Sequence, residues 1–160
     1  FDGPYSVMTA MERLPLFFLE APADATMNVV PVDYVVEGLA RLSASSLSLG
    51  KTYHLTDPEG ASVRELARTM ARALGRSYLY VPLPLGLVSA AVKLPFVQTT
   101  LGLIPESIKY FGHRCRYDAT QAKTDLATLG LQCPRVESYI DVIVAFFRAN
   151  RDRVRRTAMV

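Results

Sequence analysis

Apolar residues recur along this chain with helical spacing far more often than with the two-residue period of a strand. In the final third, Val136, Tyr139, Ile140, Ile143, Phe146 and Phe147 fall three and four residues apart, which predicts a strongly amphipathic helix. Earlier, Val35, Val36, Leu39 and Leu42 mark the apolar face of a helix that Asp33 can cap. Ser62 and Glu65 form the S-x-x-E pattern of a capping box. The helix they open carries Leu66, Met70, Ala73 and Leu74 and should stop at Gly75. Pro4 suits the first turn of a helix over Tyr5–Arg13, which ends before Pro15. Leu85–Leu94, Phe96–Leu103 and Pro105–Phe111 read as short helices, and Asp118 as the cap of a helix over Ala119–Leu129 that Gly130 ends.

Strand signals are short and far apart. Met27–Val32, Thr52–Leu55 and Leu79–Val81 are apolar or β-branched, and Cys115–Tyr117 is extended. Leu16–Thr26 and Ser43–Ser48 read as loops. The fold class is therefore α/β and helix-rich, with few short strands and without the regular alternation that completes a parallel sheet. No internal repeat is visible. The chain opens on Phe1 rather than Met and runs directly into this pattern, so the expectation is a piece of a larger protein.

Composition narrows the class. The 160 residues suit one domain, and 50% hydrophobic against 21% charged residues argues for a packed core rather than disorder. Two cysteines, Cys115 and Cys133, have neither metal-ligand nor disulfide-framework spacing, and read as free thiols of a cytoplasmic protein. The net charge of +3 comes largely from Arg148, Arg151, Arg153, Arg155 and Arg156. Residues 1–150 are taken as the domain and 151–160 as a basic tail. No interleaved aromatics accompany those arginines, so a solvated helix end is preferred and no nucleic acid partner is expected. Leu79–Ile104 is the longest apolar stretch, but Pro82, Pro84, Pro95, Gly86, Gly102 and Lys93 interrupt it. It reads as soluble core or an apolar lid, with membrane contact the lesser alternative.

Four phrases, in order, resemble one family. Val29-Val30-Pro31-Val32-Asp33-Tyr34-Val35 looks like the strand-to-helix junction of extended short-chain dehydrogenases/reductases. Gly50-Lys51-Thr52-Tyr53-His54-Leu55-Thr56-Asp57, followed by Ser62-Val63-Arg64-Glu65-Leu66, resembles their next strand and helix. Tyr117-Asp118, then Leu129-Gly130-Leu131 and Pro134, is similar to their C-terminal phrase. With Phe1–Tyr5, the Val-Pro-Val-Asp form most resembles the thioester-reductase and male-sterility branch, which includes fatty acyl reductases.

The resemblance implies the C-terminal, substrate-binding portion of an incomplete Rossmann-type fold. Its partner would be an upstream Rossmann domain of the same parent chain, holding NAD or NADP. This portion carries no Gly-rich nucleotide loop and no Tyr-x-x-x-Lys pair, so no cofactor is expected on it and no hydride transfer by it alone. Leu16–Val32 also lacks the arginine with which nucleotide-sugar members grip phosphate, which favours an apolar or acyl-type small-molecule substrate. The substrate-binding candidates are Tyr5, Met8, Asp33, His54, Val88 and Arg114. A non-catalytic nucleotide-sensing or regulatory module of the same fold, or a membrane-peripheral module, remains the alternative. Self-association is expected, because the sheet neighbour of Thr52–Leu55 would lie upstream.

Overall fold

Helices carry this structure, a computed structural model that describes residues 4–14, 16–17, 25–77, 79–81, 83–101 and 116–150. In chain order they are α1 (Pro4–Arg13), α2 (Val32–Ser43), α3 (Val63–Ala73), α4 (Leu85–Val92), α5 (Pro95–Leu101), α6 (Thr120–Thr128) and α7 (Val136–Ala149), with a 3-10 turn at Ser46–Ser48. The strands β1 (Leu16–Phe17), β2 (Thr26–Met27), β3 (Ala61–Ser62) and β4 (Leu79–Tyr80) are two residues each. β1 runs parallel to β4, with Leu16 opposite Leu79, and β2 antiparallel to β3, with Thr26 opposite Ser62. The helix-rich α/β expectation therefore stands. The expected helix at Pro105–Phe111, Cys115 and the basic tail lie outside the described residues.

The helix ends follow the local chemistry. Ser62 Oγ accepts from the Glu65 N–H at 3.2 Å while the Glu65 carboxylate accepts from the Ser62 N–H at 3.1 Å, completing the capping box of α3. At its other end Gly75 takes φ 65°, and Arg76 N–H reaches Ala71 O while Gly75 N–H reaches Arg72 O. That is a Schellman stop, whose left-handed residue needs no Cβ. Gly130 closes α6 in the same way, with Leu131 N–H on Leu126 O. Asp118 serves its helix from one position outside the cap, accepting from Thr120 N–H at 2.9 Å.

Two expectations need correction. Asp33 does not cap α2: the helix begins at Val32 with Pro31 as its cap, so Asp33 stands inside the first turn. Its carboxylate there still faces the positive end of the helix dipole. The predicted strands are also shorter than their composition suggests. Only Thr26–Met27 is paired near Met27–Val32, and residues 52–55 join no ladder among the described residues. Pairing needs a partner strand as well as β-branched residues.

The main core lies where α3 packs against α7 and α1. Met8, Leu66, Met70, Ile140, Val144 and Phe147 are all buried there. A second apolar cluster joins α2 to α6 through Tyr34, Leu42, Ala122 and Leu126, with Tyr53 and Leu55 packed on it. Polar links tie the elements together. Tyr139 on α7 donates to Val29 O at 2.9 Å, and burial pushes its phenol up to about 12. Arg148 donates to Leu74 O at 3.1 Å, so this cation satisfies the carbonyl end of α3. Arg41 on α2 donates to Leu129 O at 2.5 Å, doing the same for α6.

Candidate functional site

The sequence-predicted site residues are spread over several elements. Tyr5 and Met8 share α1. Met8 is wholly buried in the main core, and Tyr5 is half-buried with its ring 5.9 Å from that of Phe146 and 6.5 Å from that of Phe147. Met8 thus presents no surface to a ligand here. Val88 on α4 is half-buried against a small cluster of Ala25, Val63 and Val92, on which Val7 of α1 also packs. Asp33 and His54 are both exposed, Asp33 in the first turn of α2 and His54 in the segment whose Tyr53 and Leu55 pack on the α2–α6 cluster. Arg114 lies outside the described residues.

His54 has defined surroundings. Its Nδ1 sits 3.1 Å from Asp118 O, and its ring meets that of Tyr117 edge-on at 6.1 Å. A carbonyl oxygen can only accept, so this bond places the proton on Nδ1 and leaves Nε2 of the neutral ring as an acceptor. The Asp118 carboxyl is held below its usual range, chiefly by hydrogen bonds from Thr120 and least by the nearby imidazole. The arrangement leaves one ring nitrogen of an exposed residue able to accept a hydrogen bond. Among the described residues, no three His, Cys, Asp or Glu side chains are placed to hold a metal ion.

Two polar clusters escaped the sequence reading. In the first, Lys51 Nζ and the Tyr53 hydroxyl both meet Asp125 Oδ2 at 2.6 Å. Hydrogen bonds from Lys51 and then Tyr53 lower the Asp125 carboxyl, while desolvation first and Asp125 second push Tyr53 up to about 12. A phenol so raised donates a hydrogen bond and does not act as a base near neutrality. The second lines an open cleft of about 150 Å³ between α3 and the start of α7. Arg68, Arg72 and Arg135 face it together with Asp57, Glu65 and Glu137. Arg135 is paired with Glu59 and lies 3.8 Å from Glu137, so much of this charge is internally balanced. The spacing of Glu65, Arg68 and Arg72 on one helix face was the available signal for this cluster. Its second wall, at residues 135–137, is remote in sequence.

Cys133 is half-buried beside Tyr34 and Asp57. Burial first, and then the Asp57 charge, pushes its thiol up to about 11, so it is a poor nucleophile.

No family model and no curated protein matches the chain. Among solved structures it is similar to the terminal R domain from the myxalamid PKS-NRPS biosynthetic pathway, with a TM-score of 0.62 and 25% identity. The likeness covers 93% of this chain and 37% of that chain, so this chain spans little more than a third of its length. The fold matches part of a Rossmann-like α/β fold of the short-chain dehydrogenase/reductase type.

Proposed function

We propose that this chain is the substrate-binding portion of an NAD(P)-dependent oxidoreductase of the extended short-chain dehydrogenase/reductase type, related to the thioester-reductase branch. It acts on an apolar or acyl-type small molecule and is inactive without its nucleotide-binding portion. The observation that carries this reading is the structural likeness to the R domain, which extends over 93% of the chain.

The helix starts support placing the nicotinamide nucleotide elsewhere. A pyrophosphate needs free N–H groups at a glycine-rich helix start. α2 instead begins Pro31-Val32-Asp33, with a carboxylate in its first turn, and the start of α3 is already occupied by Ser62 and Glu65. These residues do not fit the group. The apolar substrate class is supported by Leu79, Leu87 and Leu94, which are exposed at β4 and around α4. Exposed apolar side chains grouped along one segment mark binding surfaces more often than isolated ones do.

Calorimetry with NADH and NADPH tests the division of labour. The 160-residue chain should show no binding up to about 1 mM, a ceiling of about −4 kcal/mol. Tight one-to-one binding of either nucleotide overturns the reading.

A further inference from the structure

We propose that the cleft between α3 and the start of α7 binds a phosphate monoester through Arg68, Thr69 and Arg72. The inference does not depend on the proposed function. It begins with a row of cations. Arg64, Arg68, Arg72 and, just past the end of α3, Arg76 recur at every fourth position, and all four are exposed. A four-residue step returns to the same side of a helix within about 40°. Like charges at that spacing destabilise a helix, and opposite charges support it. α2 shows the supporting use, with Arg41 Nε 2.8 Å from the Glu37 carboxylate.

α3 has no such compensation. Its one carboxylate is Glu65, whose Oε2 already accepts from the Ser62 N–H and hydroxyl at 3.1 and 2.7 Å. Arg72 stands in the last turn, where the helix dipole favours a cation, but Arg68 stands in the middle of the helix and gains nothing there. A pattern that opposes its own helix without a gain elsewhere in the fold is expected at functional positions.

The row meets a cavity. Arg68, Thr69 and Arg72 line one wall of the cleft of about 150 Å³, and Arg135, Val136 and Glu137 line the other. A single water takes about 10–15 Å³ of such space, so a phosphate group and a small substituent have room. The acids of the cleft are engaged. Asp57 Oδ1 accepts from Glu59 N–H at 3.0 Å, Glu65 is held by Ser62, and Glu137 faces Arg135 at 3.8 Å. Among the described residues, the side chains of Arg68, Thr69 and Arg72 make no hydrogen bond and no ion pair, and Arg68 acts on Glu65 only through space. Two guanidinium forks and a hydroxyl are left over without acceptors.

Those donors fit the phosphate group. A monoester carries about −1.5 to −2 charges near neutrality and three acceptor oxygens. A guanidinium fork binds such oxygens in pairs, so two forks and a hydroxyl match the group where one carboxylate would leave a fork unused. Arg64 and Arg76, at the two ends of the row, raise the positive potential that draws an anion in.

The test is calorimetry and thermal melting at low salt with glycerol 3-phosphate, inorganic phosphate and acetate at matched ionic strength. Glycerol 3-phosphate should bind one-to-one and raise the melting temperature, and acetate should do neither. Arg68→Gln and Arg72→Gln should each weaken binding at least tenfold, while Lys123→Gln on α6 should leave it unchanged. Arg68→Gln should also leave the melting temperature of the unliganded protein unchanged or raise it, because it removes a repulsion. Equal binding of inorganic phosphate would support a site for the phosphate group alone; tighter binding of the ester would support one that also reads the substituent. No binding of either phosphate, equal effects of acetate, or binding that survives both arginine substitutions would overturn the proposal. A lower unliganded melting temperature in Arg68→Gln would make Arg68 part of the fold and overturn it as well.

Discussion

The Tyr53 hydroxyl donates to Asp125 Oδ2 at 2.6 Å across 72 positions of sequence, and Lys51 Nζ reaches the same oxygen at the same distance. One carboxylate thus pins the extended segment after the 3-10 turn to α6. The segment that carries His54 owes its position to this contact and to Leu55 in the α2–α6 cluster.

The pin should give stability a limb at each end of the pH scale. The Asp125 carboxyl is lowered by Lys51 and Tyr53. A carboxyl lowered in the folded state stabilises above its unfolded value, and this contribution disappears as pH falls through the folded one. Tyr53 is raised from 10.0 to about 12, so its contribution is complete below pH 10 and is lost as pH rises through about 12. Asp125→Asn should therefore flatten the acid limb of a denaturant-melting series and bring the Tyr53 titration back towards 10. Difference absorbance against Tyr53→Phe reads that titration. An acid limb unchanged in Asp125→Asn would remove the pin.

Met8 separates core from pocket on α1. It has no accessible surface and packs with the α3–α7 residues. Met8→Ala should cost about 2–5 kcal/mol, as buried Met truncations do, through lost transfer energy and the cavity left behind. Urea melting measures it. A loss well under 1 kcal/mol, joined to weaker binding of an acyl probe, would return Met8 to the pocket.

Helix boundaries were legible where the signal is local. Ser62 with Glu65, Gly75, Gly130 and Asp118 act as their residue types dictate, because each bond they make spans a few positions. Strand extent was not legible, since residues 52–55 have strand composition but no ladder partner among the described residues. Periodicity assigned an apolar face to α2, but only part of it is covered here, and the positions of Leu55 and Leu126 decide which part. Lys51, Tyr53 and Asp125 carried no warning of their meeting, which depends on how α6 lies against the preceding segment. Of the site candidates, Asp33 is exposed on α2 and His54 on the segment after the 3-10 turn, while Tyr5, Met8 and Val88 belong to the packing of α1 and α4.

The capping box of α3 offers a local test. Ser62→Ala removes the acceptor for the Glu65 N–H and leaves the Glu65 carboxylate without its hydroxyl donor. The expected cost is about 1 kcal/mol. The Glu65 carboxyl is lowered first by the Ser62 side chain and next by its backbone, so part of the effect should fade as pH falls through the folded value of Glu65. Thermal melts of both proteins at neutral and acid pH measure the difference. A gap that widens on acidification would contradict this account.

The apolar segment around α4 gives the final test, because neighbouring residues there have different surroundings. Leu87 is exposed, while Val88 is half-buried on Val92 and Val63. If this segment is a wall for an apolar substrate, the 160-residue chain should bind a hydrophobic dye or a medium-chain acyl compound. Leu87→Asp should then weaken that binding and leave the melting temperature unchanged, since its carboxylate stays in water. Val88→Asp should lower the melting temperature, because a charge set against the cluster loses hydration without gaining a partner. Fluorescence titration and thermal melting of the two variants read these outcomes together. Dye binding that survives Leu87→Asp intact, or a fall in melting temperature for Leu87→Asp equal to that for Val88→Asp, would refute an exposed apolar wall at α4.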